Sequence, residues 1–207
     1  MNLFKQWADR KKQRKLDARR VFVKEIDWIV QLPVASIPRN IRDAKKSYEK
    51  SVKFMGGYND ESIYRSDNSK AVFSAPFDKF NLIAGSICKI TGFTTEQIYS
   101  SREDCKGKLI RLFSHIPQSK IERSTTTCIV GGIEFEQHSF LVIRNGKPIF
   151  CMEYIYQVIN DHELAISMTH NNETWRQEMF NCLKDSEFSS SESNLSRQIA
   201  ENHQIQQ

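Results

Sequence analysis

The sequence predicts an α+β fold in which helices cover one face of an antiparallel sheet, and three observations predict it. Thr125 to Val130, Ile133 to Arg144 and Lys147 to Ile159 are rich in β-branched and aromatic residues. Gly131-Gly132 and Asn145-Gly146 separate these runs, and both pairs suit two-residue hairpin turns, which need positive φ at low steric cost. Upstream, Phe77, Phe80, Ile83, Ile87 and Ile90 recur at spacings of three and four, the stripe of a helix packed on a core.

Residues 3 to 32 read as an N-terminal helix, with Leu16, Val23 and Val30 recurring every seven residues and Ile26 on the same side. Pro33 and Pro38 stop it, because proline supplies no amide hydrogen and disfavours helix before it. A second, lysine-rich helix is expected over 41 to 55, ended by Gly56-Gly57, with a polar loop over 58 to 70. The helix over 77 to 91 ends at Gly92. Thr94-Thr95-Glu96-Gln97 then has the form of a capping box, in which the Thr94 hydroxyl accepts from the Gln97 amide and the glutamine reaches back. A short helix through Ile98-Tyr99 follows, and Leu109, Ile110, Leu112, Phe113 and Ile116 mark another before Pro117.

Simple hairpin arithmetic sets the register of the three strands. Arg144 facing Lys147 places Leu141 opposite Phe150 and Phe135 opposite Tyr156, while Val130 facing Ile133 places Cys128 opposite Phe135. In that register Phe135, Leu141, Met152 and Tyr154 share the core face and would line any cavity there. The outer face collects His138 and Glu153 as a cross-strand pair, together with Phe140, Val142, Ile149 and Ile155. That exposed apolar group is the expected protein-interaction surface, unless a helix over 172 to 184 or 16 to 30 folds back to cover it. Beyond Ile159, a helix over 172 to 184 carries Trp175, Met179, Phe180 and Leu183 on one side, and the serine-rich and Gln/Asn-rich end reads as disordered.

Charge is unevenly placed. The chain carries +5 overall. Residues 1 to 24 hold nine basic side chains against Asp9 and Asp17, so this segment alone carries +7 and the remainder is slightly acidic. Arg10, Lys11, Lys12, Arg14, Lys15, Arg19 and Arg20 are the candidates for a nuclear address or a phosphate-binding arm, or else form a solvated helix face. No apolar run approaches the roughly 20 residues of a membrane span, and the N-terminal residues lack the apolar region of a secretory signal. Five cysteines spread without a C-x-x-C pair, and scattered histidines, predict reduced thiols and neither a metal nor a cofactor site. Nucleophile-elbow, P-loop and paired-carboxylate motifs are absent, so no enzyme is expected.

The string Ile87-Cys88-Lys89-Ile90-Thr91-Gly92-Phe93-Thr94-Thr95-Glu96-Gln97-Ile98 resembles the helix-loop-helix of PAS domains, which often reads TGY followed by x-x-E-E-L. The three-stranded meander after it has the order of the last three PAS strands. More narrowly, the segment is similar to the PAS domain of fungal zinc-cluster regulators of gluconeogenesis, with Gly146-Lys147-Pro148 at the position of their G-x-P hairpin. The likeness covers residues 71 to 159. It implies a PAS-like sensory and protein-interaction domain in transcriptional regulation, nuclear or cytoplasmic, contacting a protein partner or a second copy through the sheet face. A small ligand between helices and sheet stays open at this stage. The six clustered cysteines of that family's DNA-binding module are absent, so its DNA-reading chemistry is not carried over. Cys105 lies in Glu103-Asp104-Cys105-Lys106-Gly107-Lys108, unlike the N-C-R-F-L-Q string of flavin-binding PAS domains, and reads as a surface or loop thiol. The expected organisation is a basic helical extension (1–57), the PAS-like domain (58–160), and a short helix with a polar tail (161–207). The alternative is a nucleic-acid-binding protein acting through the basic N-terminal helix, with DNA as its partner.

Overall fold

The computed structural model describes residues 19–39, 42–46, 69–78 and 80–188. In chain order these form β1 (Arg20–Val23), β2 (Trp28–Gln31), a helical segment at 42–46, β3 (Ser69–Pro76), β4 (Leu82–Lys89), α1 (Thr95–Ser114), β5 (Ser119–Val130), β6 (Ile133–Arg144), β7 (Lys147–Ile159), β8 (His162–His170), α2 (Glu173–Lys184) and β9 (Glu187–Phe188). The fold is α+β. Six strands make one antiparallel sheet in the order β3-β4-β8-β7-β6-β5, and β1-β2-β9 make a second, three-stranded one.

The hairpins form where the sequence predicts them. Gly131, Gly132, Asn145 and Gly146 all have positive φ, which two-residue turns of this kind demand. A further hairpin turns at Asn160, φ 56°, and brings β8 between β4 and β7. The large sheet therefore runs past residue 160 to His170, and the closing meander has four strands where the PAS likeness implies three.

Residues 82–89 are strand β4 and not part of a helix. Ile83 and Ile87, four apart, share a face in either conformation, because four is even and also close to one helical turn. What decides is the neighbourhood: Ile83, Gly85 and Ile87 stack over Met168, Ile166 and Leu164 of β8, all on one face of the sheet. Gly85 lies under the Phe73 ring of β3, which stands where a Cβ would be. Gly85→Ala is expected to displace that buried ring and lower stability by about 1–3 kcal/mol in urea denaturation.

The N-terminal helix expected over 3 to 32 is not found over 19 to 32, where two strands flank a 3-10 turn, and residues 1 to 18 lie outside the described residues. Trp28, Val30 and Leu32 are buried in alternation, the period of a strand, and Asp27 takes the left-handed conformation that ends the turn. This small sheet joins both ends of the described chain. Trp28 stacks on Phe188 at 5.8 Å and its Nε1 donates to Ser186 Oγ at 2.9 Å.

Helix α1 is continuous, joining the two short helices expected at 98–99 and 109–116. Its capping box forms as predicted: Thr94 N donates to Gln97 Oε1 at 2.8 Å and Gln97 N to Thr94 Oγ1 at 3.3 Å. α2 follows Asn172, whose side chain accepts from Trp175 N. Two cores result, one on each face of the large sheet. α2, β1 and β2 cover the first, around Trp28, Phe73, Phe135, Ile155, Ile166, Met168 and Met179. α1 covers the second, with Leu109 and Phe113 against Phe140 and Val142. Helices expected on one face thus occupy both.

Candidate functional site

A single β-bulge redistributes the residues that the sequence assigns to a site. Between Val142 and Ile143 the β6–β7 register shifts, so Leu141 faces Cys151, not Phe150, and Tyr156 faces Glu136, not Phe135. A slip of one residue sends every following side chain to the other face. Phe135 and Leu141 therefore lie on one face of the sheet, Met152 and Tyr154 on the other, and the four line no common cavity.

The expected interaction surface is divided the same way. Phe140 and Val142 are buried against α1, Ile155 is buried in the opposite core, and Ile149 alone is exposed. His138 faces Tyr154 while Glu153 faces Ser139, so these two groups are not a pair. Of the basic candidates, Arg20 is exposed on β1 and Arg19 is half-buried just before it; Arg10, Lys11, Lys12, Arg14 and Lys15 lie outside the described residues.

Three features emerge that the sequence did not announce. The first is a polar cluster around Glu153, whose side chain is buried under α2. Cys151 and Glu153 are two apart on β7 and so share a face; His170, at the end of β8, is directly opposite Cys151. Glu153 Oε2 accepts from Gln137 Nε2 at 2.9 Å and from the Ser139 hydroxyl. Oε1 has Arg176 Nε of α2 at 3.2 Å, His170 Nε2 at 3.4 Å and Cys151 Sγ at 3.8 Å. Burial alone would raise this carboxyl, but the hydrogen bonds from His170, Ser139, Gln137 and Arg176 outweigh it and hold it down at about 2. The ligand atoms of Cys151, Glu153 and His170 all lie within 4.8 Å of one another.

The second feature is an ion network between α1 and the other face. Arg102 Nε donates to buried Glu163 Oε1 at 2.6 Å, and its Nη1 lies 3.4 Å from Glu136 Oε2. The guanidinium stacks over Tyr156 at 4.2 Å and Tyr99 at 5.3 Å. Glu136 Oε1 also accepts from Tyr156 Oη at 3.3 Å and meets His138 Nε2 at 2.7 Å, while Thr125 Oγ1 sits 2.9 Å from His138 Nδ1. Burial pushes Glu163 up to about 8 and lowers His138. Arg102 and Lys106 of α1 both reach Glu136, and Arg102 also donates to Glu163, so the network's evident role is to seat α1. Cys105, half-buried on α1 and not in a loop, is raised by burial, as are Cys88 and Cys128 to about 11 and Cys151 and Cys182 to about 12. Burial thus keeps all five as thiols, which are poor nucleophiles.

The third feature is the edge strand β5. Residues Glu122 to Thr127 are all exposed, and among the described residues no strand pairs with its outer side.

No family model matches this sequence, and no curated protein does. No helix among the described residues is long and apolar enough to cross a membrane. Among solved structures the chain is similar to the solution structure of cyanobacterial PsbP (CyanoP) from Synechocystis sp. PCC 6803, with a TM-score of 0.50 at 7% identity over 82% of this chain and 91% of that one. At that identity the likeness extends to the fold alone.

Proposed function

We propose that this chain is a protein-interaction module that self-associates edge to edge, β5 of one copy against β5 of a second. The observation that carries the reading is the contrast between the two edges of the large sheet. Strand β3 has a bulge after Ala71, ends at Pro76, and is covered by the chain itself: Ile37 N donates to Pro76 O and Arg39 N to Ser74 O, each at 2.8 Å. Those are the usual ways of blunting an edge. Strand β5 has twelve residues, no proline and no such cover among the described residues.

Its side chains are self-complementary. A two-fold axis perpendicular to the sheet keeps the faces matched, so residue numbers across an antiparallel β5–β5 pair sum to an even number. Centred on Thr125, the pairing sets Ser124 against Thr126, Arg123 against Thr127, Glu122 against Cys128 and Ile121 against Ile129. No like charges meet, and hydroxyl and aliphatic pairs of this kind favour pairing. Ile129 is 50% exposed, and its partner position Ile121 is packed against the α1 core, so each copy offers the other's Ile129 an apolar seat. One strand pair is a small interface, of the transient class.

Binding rather than catalysis is also what the chemistry supports. The described cysteines are held as thiols, and Glu136, Glu153 and Glu163 are engaged by the donors named above. Transcriptional regulation is the setting that the PAS resemblance of residues 87–98 implies; in the fold only the capping box and α1 of that string are helical, Ile87 to Lys89 lying in β4. Light scattering on the full chain is expected to show a concentration-dependent dimer. Proline placed in turn at 124, 125, 126 and 127 should separate two effects, because alternate amides point toward β6 and away from it. Two positions weaken the fold; the other two leave it intact and abolish the dimer. A chain that stays monomeric at every concentration, or a dimer that survives all four prolines, overturns the reading.

A further inference from the structure

The geometry points to a metal site for a zinc-class ion at Cys151, Glu153 and His170, in which the ion and Arg176 compete for the same carboxylate oxygen. The argument starts from the ligand edges. A tetrahedral zinc ion holds sulfur at about 2.3 Å, nitrogen at about 2.0–2.1 Å and oxygen at about 2.0–2.2 Å, so neighbouring ligand atoms stand about 3.4–3.6 Å apart. Here the His170 Nε2 to Glu153 Oε1 edge is 3.4 Å and the Cys151 Sγ to Glu153 Oε1 edge is 3.8 Å. Cys151 and His170 face each other across β7 and β8, so the third edge closes by side-chain rotation within two paired strands.

The surroundings are arranged for such an ion as well. Gln137 and Ser139 both donate to Glu153 Oε2. They fix the carboxylate as outer-sphere partners do, and leave Oε1 turned toward the sulfur and the imidazole. A thiolate, an imidazole and a carboxylate together suit zinc and the later first-row ions, not magnesium or calcium, which take oxygen ligands. As the metal–sulfur bond forms, the Cys151 thiol proton passes to solvent. Three protein ligands leave a fourth position, on the side where Arg176 enters.

Arg176 is the cation now at that oxygen. Its Nε is 3.2 Å from Glu153 Oε1, and its Nη1 also reaches Glu173 of the same helix at 3.0 Å. Being one-third exposed, it can leave Glu153 for Glu173 without being stranded. Metal at Glu153 then frees the one arginine that ties α2 to this carboxylate, so occupancy of the site loosens that end of the helix.

Cobalt(II) is the probe, titrated into the full chain, because a cobalt–thiolate bond has its own absorption band. One equivalent is expected to give that band, Cys151→Ser to remove it, and His170→Gln to weaken binding by at least about tenfold. Arg176→Gln lies on the helix surface and does not depend on a buried substitution folding; it should tighten binding by about tenfold or more, the opposite of what an anchoring role alone gives. The assignment falls if the native chain shows no thiolate band, if the band survives Cys151→Ser, or if Arg176→Gln leaves affinity unchanged or lower.

Discussion

Arg102→Met is expected to lower stability by about 3–5 kcal/mol at pH 8 and above, where Glu163 is ionised and the substitution removes one partner from a buried ion pair. Glu163 is 2% exposed and Arg102 8%, so water cannot take over from the lost guanidinium. Cation–π contact with Tyr156 goes with it, and the aliphatic stem of methionine replaces only the packing. The pH dependence identifies the cause. Burial raises Glu163 to about 8, above its unfolded value near 4.5. Its contribution to stability is therefore fully present below about pH 4.5 and is lost as pH rises through 8. Without Arg102 the carboxyl keeps its proton more firmly, so the deficit of the variant should be largest at pH 8 and above and shrink on acidification. Urea denaturation at several pH values measures this. Arg102→Met combined with Glu163→Leu should recover most of the loss, since an apolar pair of similar size is close to neutral. A deficit independent of pH, or no recovery in the double variant, would place the cost in packing of α1 instead.

Glu153→Ala is expected to be comparably damaging, at about 3–5 kcal/mol, because it strands Gln137 and His170 and removes the carboxylate that meets Arg176. The sign of its titration is opposite to that of Glu163. With a folded value of about 2 against an unfolded value near 4.5, its contribution is present above pH 4.5 and disappears as pH falls through 2. That difference corresponds to about 3 kcal/mol. Glu153→Gln should therefore flatten the acid limb of the native chain's stability profile, an outcome read by thermal melts between pH 2 and 5. An unchanged acid limb in Glu153→Gln would assign acid unfolding to other carboxylates.

Local signals in the sequence carried far. Both glycine turns, the Thr94–Gln97 capping box and helix α2 stand where periodicity and turn chemistry put them. Two kinds of signal failed. An apolar spacing of four is shared by strand and helix, and Ile83 and Ile87 were resolved only by their neighbours on β8. The one-residue bulge at Ile149, opposite Val142 and Ile143, is marked only by Pro148, a residue that an interior strand tolerates at a bulge, and it decides which partners residues 135–142 and 150–156 meet across the hairpin. The Glu153 cluster was hidden for a different reason. Its members come from β6, β7, β8 and α2, and only the alternate placing of Cys151 and Glu153 was visible along the chain. A pattern of a cysteine and an acid two apart on a strand, with a histidine at the end of the next, is the signal that would have found it.

The three-stranded sheet has a consequence for how the protein is made. β2 takes its partner β9 from the far end of the described chain, and the Trp28 to Ser186 hydrogen bond spans 158 residues. On a ribosome, Trp28 emerges long before the residues that cover it, and closing so long a loop carries an entropy cost that only the finished sheet repays. The hairpin of β1 and β2 can meet Phe73 early, but the side of the indole that Ser186 and Phe188 cover waits until residue 188 is released. Chaperone attention, and the toll of any premature stop after α2, should concentrate on that interval of synthesis.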